Sequence, residues 1–301
     1  MSAQAGVAHP VNDTTTATKR MRIGVGLPSG VPGASGRLVI DWAAKADGGP
    51  FASVACVDRL VYDAFEPLTT LAAAAAVTRK VMLAGLVIAA PMRNTAMLAK
   101  AAASVDALSG GRLVLGLAIG ARHEDYDVAG IDHDDRGKRF SQQLAELRDW
   151  WDHPKIGPKP TRPGGPPVLV GGLSDEAYAR AARYADGYVH AGGPPRAFAR
   201  AADRARAAWI DAGRPGRPRL WGQGYFALGD TATADAGAGY LRDYYAFTGP
   251  FADRIAAGQL TTPQAIVQFI RGYEDAGCDE LLLFPTVADL AQLERLAGVI
   301  G

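Results

Sequence analysis

The chain has only two cysteines, Cys56 and Cys278, far apart and with no recognisable motif around either. That scarcity favours two buried thiols in a reducing compartment over a disulfide or a redox pair. An excess of one charge is missing too. Thirty-two basic and 31 acidic residues leave a formal net charge of +1, which removes the electrostatic argument for nucleic acid or an anionic membrane surface as partner. No apolar run approaches the roughly 20 residues that a membrane-spanning helix needs. The first twenty residues, MSAQAGVAHPVNDTTTATKR, lack the apolar stretch of a signal peptide. They read as a flexible tail ahead of a single domain over 21–301, and the expectation is a cytoplasmic protein that takes a small-molecule substrate.

Several catalytic signatures are also absent. There is no His-Glu-x-x-His, no His-x-His on the first strand and no Gly-x-Ser-x-Gly elbow, and no Cys–His pair stands out. The stretch IDHDDRGKRF at 131–140 has neither the glycine spacing nor the terminal acid of a calcium loop, so it reads as a solvated cap leading into a helix. No metal is expected. His9 in the tail and His153 before Pro154 read as surface residues.

What the sequence does have is alternation, with 48% hydrophobic residues over 301 positions, enough for a large core. Short apolar runs fall at Arg22–Leu27, Ala52–Val57, Val81–Val87, Leu113–Ala118, Pro167–Val170, Gly187–His190, Arg219–Phe226 and Asp279–Phe284. They are apolar nearly throughout, as parallel strands covered on both faces are. Helical patterns separate them, at about 37–48, 67–78, 94–108, 137–152, 174–185, 194–212, 232–246 and 287–299, with another at 263–276. Within 94–108, Leu98, Ala101, Ala102, Val105 and Leu108 share one face, Asn94 or Thr95 caps the start, and Gly110-Gly111 ends it. Eight strand–helix units point to a single-domain α/β (β/α)₈ TIM barrel. The competing dinucleotide-binding sheet needs G-x-G-x-x-G, and GVGLPSG places Ser29 where the third glycine belongs.

In such a barrel the working residues follow the strands. After the fifth strand, Gly171-Gly172 and Ser174 precede a helix. Glycines admit a ligand close to the backbone, and a helix amino end favours a phosphate. An ordinary strand–helix turn with a serine cap explains the same residues. His190-Ala191-Gly192-Gly193 adds a second glycine-rich turn and favours a shared phosphate site. Asp58 follows the second strand, where it either bonds a polar ligand edge or pairs with Arg59 or another loop cation. In LGLAIGARHEDY, at 115–126, Gly116 belongs to a buried fourth strand and Gly120 ends it, which brings His123 and Glu124 to the mouth.

The segments MRIGVGLPSG, DRL (58–60), AKAAASVDALSGGRLVLGLAIGARHEDYDVAGI, DRGKRFSQQLAELRDWW and PVLVGGLSDEAYARAARYADGYV resemble the luciferase-like flavin- and deazaflavin-dependent oxidoreductases over residues 21–300. The resemblance implies an oxidoreductase or monooxygenase on a (β/α)₈ barrel. A reduced deazaflavin coenzyme (F-420), slightly preferred, or FMN would lie across the strand ends. A non-catalytic flavin-binding barrel is the alternative. It further implies that Asp58 contacts cofactor or substrate, and that a bulge at Val87-Ile88, often with a non-proline cis peptide, backs the ring. Glu124 stands where deazaflavin relatives often have an amide that bonds the ring. Gly171, Gly172, Leu173 and Ser174 match the phosphate turn, to which the glycine-rich turn after the sixth strand adds His190 and Gly192 as cofactor-binding candidates. Arg59 replaces a histidine common in deazaflavin dehydrogenases, which leaves His123 as a replacement acid–base group or a surface histidine at a helix start. Relatives are commonly dimers through barrel helices. Substrate choice is expected in the loops near 28–36, 91–94, 191–196 and 245–262.

Overall fold

The computed structural model describes residues 20–301. The expected tail, apart from Arg20, and His9 lie outside the described residues. The first half of the chain alternates β1 (Arg22–Gly26), α1 (Gly36–Asp47), β2 (Ser53–Cys56), α2 (Pro67–Val77), β3 (Met82–Ala89), α3 (Thr95–Ser109) and β4 (Leu113–Ala118). Two helices follow, α4 (His123–Ala129) and α5 (Arg136–Asp152). Then come β5 (Val168–Gly171), α6 (Asp175–Tyr184), β6 (Gly187–Val189), α7 (Pro195–Asp211) and β7 (Arg219–Phe226). The last strand is preceded by three helices, α8 (Thr231–Tyr244), α9 (Phe251–Ala257) and α10 (Pro263–Asp275). β8 (Glu280–Pro285) and α11 (Ala291–Ile300) complete the chain.

The strands pair in parallel, each with its sequence neighbours, and β8 returns to β1 to close the barrel. β4 and β7 have the bounds that apolar patterning predicts, and the other strands shift by one or two residues. Two helices are additional. α4 and α9 have seven residues each, too few turns for a periodic apolar stripe to stand out. Among the described residues no helix is long and apolar enough to cross a membrane.

Local chemistry sets the helix ends. Glu66 caps α2 by accepting from the Thr69 amide at 2.7 Å, with Pro67 at the first helical position. Asn94 caps α3 and Ser174 caps α6 in the same way. Gly110 ends α3 in the left-handed conformation at φ 69°. One expectation on α3 fails: Leu108 is 69% exposed instead of sharing the buried face of Leu98, Ala102 and Val105.

Side chains divide by strand parity. One apolar cluster fills the layer between strands and helices, and a second lies inside the barrel. The inner cluster holds Ala55, Ala84, Leu86, Val114, Leu169, Val189, Trp221, Leu282 and Phe284. Inward-facing glycines shape it. A Cβ on Gly26 would collide with the Phe284 ring, and one on Gly116 with the Gly85 carbonyl and Leu86. Gly116 is therefore a space-maker in the fourth strand. Cys56 and Cys278 are buried free thiols, and burial pushes the Cys56 thiol up to about 12.

Candidate active site at the barrel mouth

The floor of the mouth is apolar. Val57, Val87 and Tyr225 are only partly buried and sit on the inner cluster at the carboxyl ends of β2, β3 and β7. The Leu86–Val87 peptide bond is cis, and the β3–β4 register shifts between Gly85 and Ile88. The bulge thus occurs at the expected place. Ile88 itself is fully buried in the outer cluster. Val87 reaches far enough sideways that a Cβ on Gly171 would lie 3.2 Å from its Cγ1 and 3.5 Å from Val189 Cγ1. Val87, Gly171 and Val189 therefore form one continuous surface across β3, β5 and β6.

The turn after β5 is built for close approach. Gly172 has φ 139°, and a Cβ there would meet the Ala177 Cβ at 2.6 Å. Leu173 is 62% exposed beside it. Ser174 then caps α6, whose first turn carries Asp175 and Glu176. Asp175 is ion-paired with Arg204 of α7. Glu176 is held below its usual range, chiefly by a hydrogen bond from Ser174. A phosphate here would be met by backbone amides and a glycine cradle, with no free side-chain cation in the turn. Gly192 and Gly193 extend that cradle at φ 104° and 117°.

His190 is placed differently from the expectation. Its backbone amide joins β6 to Trp221 of β7 at 2.9 Å, while the ring stands edge-on to Phe198 of α7. Val189 takes the inward position, so His190 faces the helix layer. Burial pulls its imidazole down to about 4 and leaves it neutral, and Nδ1 has no partner. It cannot supply positive charge to a phosphate at neutral pH.

Asp58 is an internal counter-ion. Oδ2 accepts from the Ala89 amide at 2.9 Å and from Arg93 Nη1 at 2.6 Å, and Oδ1 accepts from Arg93 Nη2 at 3.0 Å. Of the two readings open at the outset, pairing with a loop cation is the one found, although the cation is Arg93 and not Arg59. Burial pulls the Arg93 guanidinium down, but Asp58 and Glu66 more than compensate and leave it above its ordinary value. Asp58 thereby fixes the end of the β3 bulge and, through Glu66, the start of α2.

Glu124 and His123 separate. Glu124 pairs with Arg59, whose side chain is 7% exposed. His123 stacks on His133 at 3.5 Å between centroids, over the α4–α5 connection. The expected cap at 131–140 includes an Asp132 turn and leads into α5.

Sequence reading missed the opposite rim. Arg59 and Arg122, from the ends of β2 and β4, both donate to the Tyr244 carbonyl, at 3.1 and 3.4 Å. Arg59 stacks on Tyr62 and Tyr244, and Arg122 on Tyr244 and Phe247. The Tyr62 hydroxyl donates to Asp243 at 2.6 Å. The end of α8 and the residues after it are thus strapped across from β7 to β2 and β4. Beneath the strap the Tyr225 and Tyr245 hydroxyls touch. Only the tyrosine-rich run YLRDYYAF at 240–247 hinted at this.

A model of the luciferase-like monooxygenase family matches residues 21–276. An uncharacterised protein of Mycobacterium tuberculosis is 36% identical over 163 residues, covering 50% of this chain and 56% of that protein. Pyrimidine monooxygenase RutA of Escherichia coli is 32% identical over 171 residues, covering 50% and 46%. The chain spans about half the length of the curated relatives it matches. Among solved structures, monooxygenase RslO1 of Streptomyces bottropensis superposes with a TM-score of 0.72 at 19% identity, covering 93% and 97% of the two chains. An F420-dependent secondary alcohol dehydrogenase bound to an F420–acetone adduct gives 0.76 at 15%, covering 93% and 98%. The oxygenating constituent of 3,6-diketocamphane monooxygenase of Pseudomonas putida, bound to FMN, gives 0.73 at 19%, covering 93% and 96%. Closed topology and the span of the family match agree: this chain belongs to the luciferase-like monooxygenase family.

Proposed function

We propose that the protein is an oxidoreductase that binds a reduced deazaflavin coenzyme or FMN across the barrel mouth and acts on a small organic substrate. The observation that carries this reading is the continuous surface from the Val87 bulge past Gly171 to the glycine turn at α6. It offers a flat apolar backing for a ring and, beside it, a side-chain-free turn at a helix amino end for a phosphate. The solved neighbours whose names mention F420 and FMN share this fold. When bound, the coenzyme supplies hydride transfer or, as a flavin, oxygen activation. The deazaflavin is preferred, on the likeness of the 126–151 region to deazaflavin relatives.

The chain's own residues bind, orient and exclude water. Val57 and Val87 give the ring an apolar seat. Asp58 acts as a positioning residue, holding Arg93 and the Ala89 amide so that the bulge keeps its shape. The Arg59–Arg122 strap covers the mouth and limits water. His123, stacked on His133 away from this floor, is not given a proton-transfer role. A homodimer belongs to the same reading: Met97 and Leu108 of α3 are 65% and 69% exposed beside a groove lined by Leu68, Ala72, Ala101 and Val105.

Separate titrations with FMN and the deazaflavin coenzyme, followed by absorbance and fluorescence, test the proposal. Saturable binding of one of them, with turnover of an electron donor, is expected. Stoichiometric binding without turnover would make the protein a flavin-binding barrel, and no binding of either would reject the reading.

A further inference from the structure

Strand β7 reads RLWGQGYF, and its parity is fixed by its neighbours. A Cβ on Gly222 would meet Tyr273 and one on Gly224 would meet Phe269, both on the helix side. Trp221, Gln223 and Tyr225 therefore point into the barrel, and Trp221 and Tyr225 indeed join the inner cluster. Gln223 is 3% exposed. Its side-chain amide makes no hydrogen bond with any described residue, although its backbone carbonyl accepts from Tyr273 at 3.3 Å. A glutamine amide carries two donors and an acceptor, and its atoms here are not sealed among the buried, unpartnered polar atoms of the interior, so they remain reachable from the barrel lumen.

One level higher, at the mouth, stands the Tyr225 hydroxyl against that of Tyr245. Burial raises both phenols above their ordinary value, so both keep their protons. Two hydroxyls sharing one hydrogen bond have one hydrogen left over. β7 lies four strands from β3 in an eight-strand ring, on the far side of the mouth from the Val87 bulge. A ring seated on Val87 would have this polar pair across from it.

We propose that Gln223 and Tyr225 form a neutral hydrogen-bonding ledge that recognises the carbonyl and adjacent N–H of a lactam or amide substrate. The unmet donor and acceptor of the Gln223 amide match that edge, and the spare hydroxyl hydrogen gives a second donor to the carbonyl. Residues 221–225 bring no charge, so an ionised substrate would find no counter-ion among them. The assignment of the ligand as substrate rests on the coenzyme reading of the mouth.

The test compares wild type, Gln223→Leu and Tyr225→Phe. The probes are 2-piperidone and N-methyl-2-piperidone, which lacks the N–H, and binding is followed by ligand-observed NMR on protein loaded with whichever coenzyme titrates. Wild type should bind 2-piperidone about tenfold better than the N-methyl compound, and Gln223→Leu should erase that preference. Gln223→Leu should leave coenzyme affinity unchanged. Equal binding of the two probes by wild type, or an unaltered preference in Gln223→Leu, would overturn the proposal. A loss of coenzyme affinity in place of probe affinity would assign the ledge to the coenzyme and overturn it too. If Gln223→Leu does not fold, Tyr225→Phe and the two-probe contrast in wild type decide. If neither coenzyme titrates, the functional reading fails, and the same contrast on the coenzyme-free protein still judges the ledge.

Discussion

The Asp58 carboxylate and the Arg93 guanidinium meet edge to edge, Oδ2 to Nη1 at 2.6 Å and Oδ1 to Nη2 at 3.0 Å, with the Asp58 side chain 3% exposed. Such a pair is costly to break one-sidedly, because the surviving charge stays buried. Asp58→Ala is expected to lower stability by about 3 kcal/mol, and Asp132→Ala, on an exposed turn, by far less. Denaturant melts of the two variants check this. Equal midpoints would remove Asp58 from its role as an anchor of the β3 bulge.

The glycine turn makes an ordered set of predictions. Gly171→Leu should fold and bind coenzyme weakly, because its side chain would enter the space bordered by Val87 and Val189. Gly172→Ala should cost about 1–3 kcal/mol, since φ is 139° and its Cβ would press on Ala177. Gly239→Ala, on exposed helix α8 with open space around it, should stabilise by about 0.5–1 kcal/mol. Melting curves and coenzyme titration on the three variants read both effects.

His190 predicts a pH dependence. Its folded value, about 4, lies below the ordinary 6.5, so the unfolded chain binds the proton more tightly. The stabilisation is fully present above pH 6.5 and is lost as the pH falls through 6.5 towards 4. It amounts to about 3 kcal/mol at most. His190→Gln should flatten that part of the stability curve, as measured by urea melts between pH 4 and 7. A curve parallel to wild type would contradict the neutral, buried imidazole.

The strap should loosen when its holders are removed. Arg122→Ala removes a guanidinium that stacks on Tyr244 and Phe247 and bonds the Tyr244 carbonyl. Amide hydrogen exchange over 243–249 is expected to speed up by about tenfold, while β4 exchange stays slow. Glu124→Gln should have a smaller effect that fades in high salt, because Glu124 is half exposed. Unchanged exchange in Arg122→Ala would mean that the tyrosine packing alone holds the segment.

Much of the fold was legible because the barrel repeats one signal eight times. β4 and β7 were bounded correctly by apolar patterning, and Asn94 and Ser174 gave true helix starts. The glycines of the site were legible as well, since backbone conformation restricts them locally. Side-chain partners were not. Arg93 lies 35 residues from Asp58 and Arg122 lies 122 from Tyr244, and nothing local encodes either pairing. His190 shows the same limit. It directly follows β6, but strand parity, read only in three dimensions, turned its ring towards α7. Gln223 was hidden inside an apolar, glycine-rich strand whose inward parity depends on Tyr273 and Phe269 across the helix layer.

The missing side chain of Gly26 leaves the room that the Phe284 ring fills, and Phe284 in turn packs beside Tyr225 at 6.2 Å between centroids. One strand opens the described chain and the other nearly closes it. The floor of the mouth is therefore finished only when β8 has paired with β1. During synthesis, a nascent chain lacking β8 would carry the bulge, the glycine turn and both strap arginines but not the Phe284 ring that packs beside Tyr225. The mouth is in that sense a late product of folding, complete only in the closed barrel.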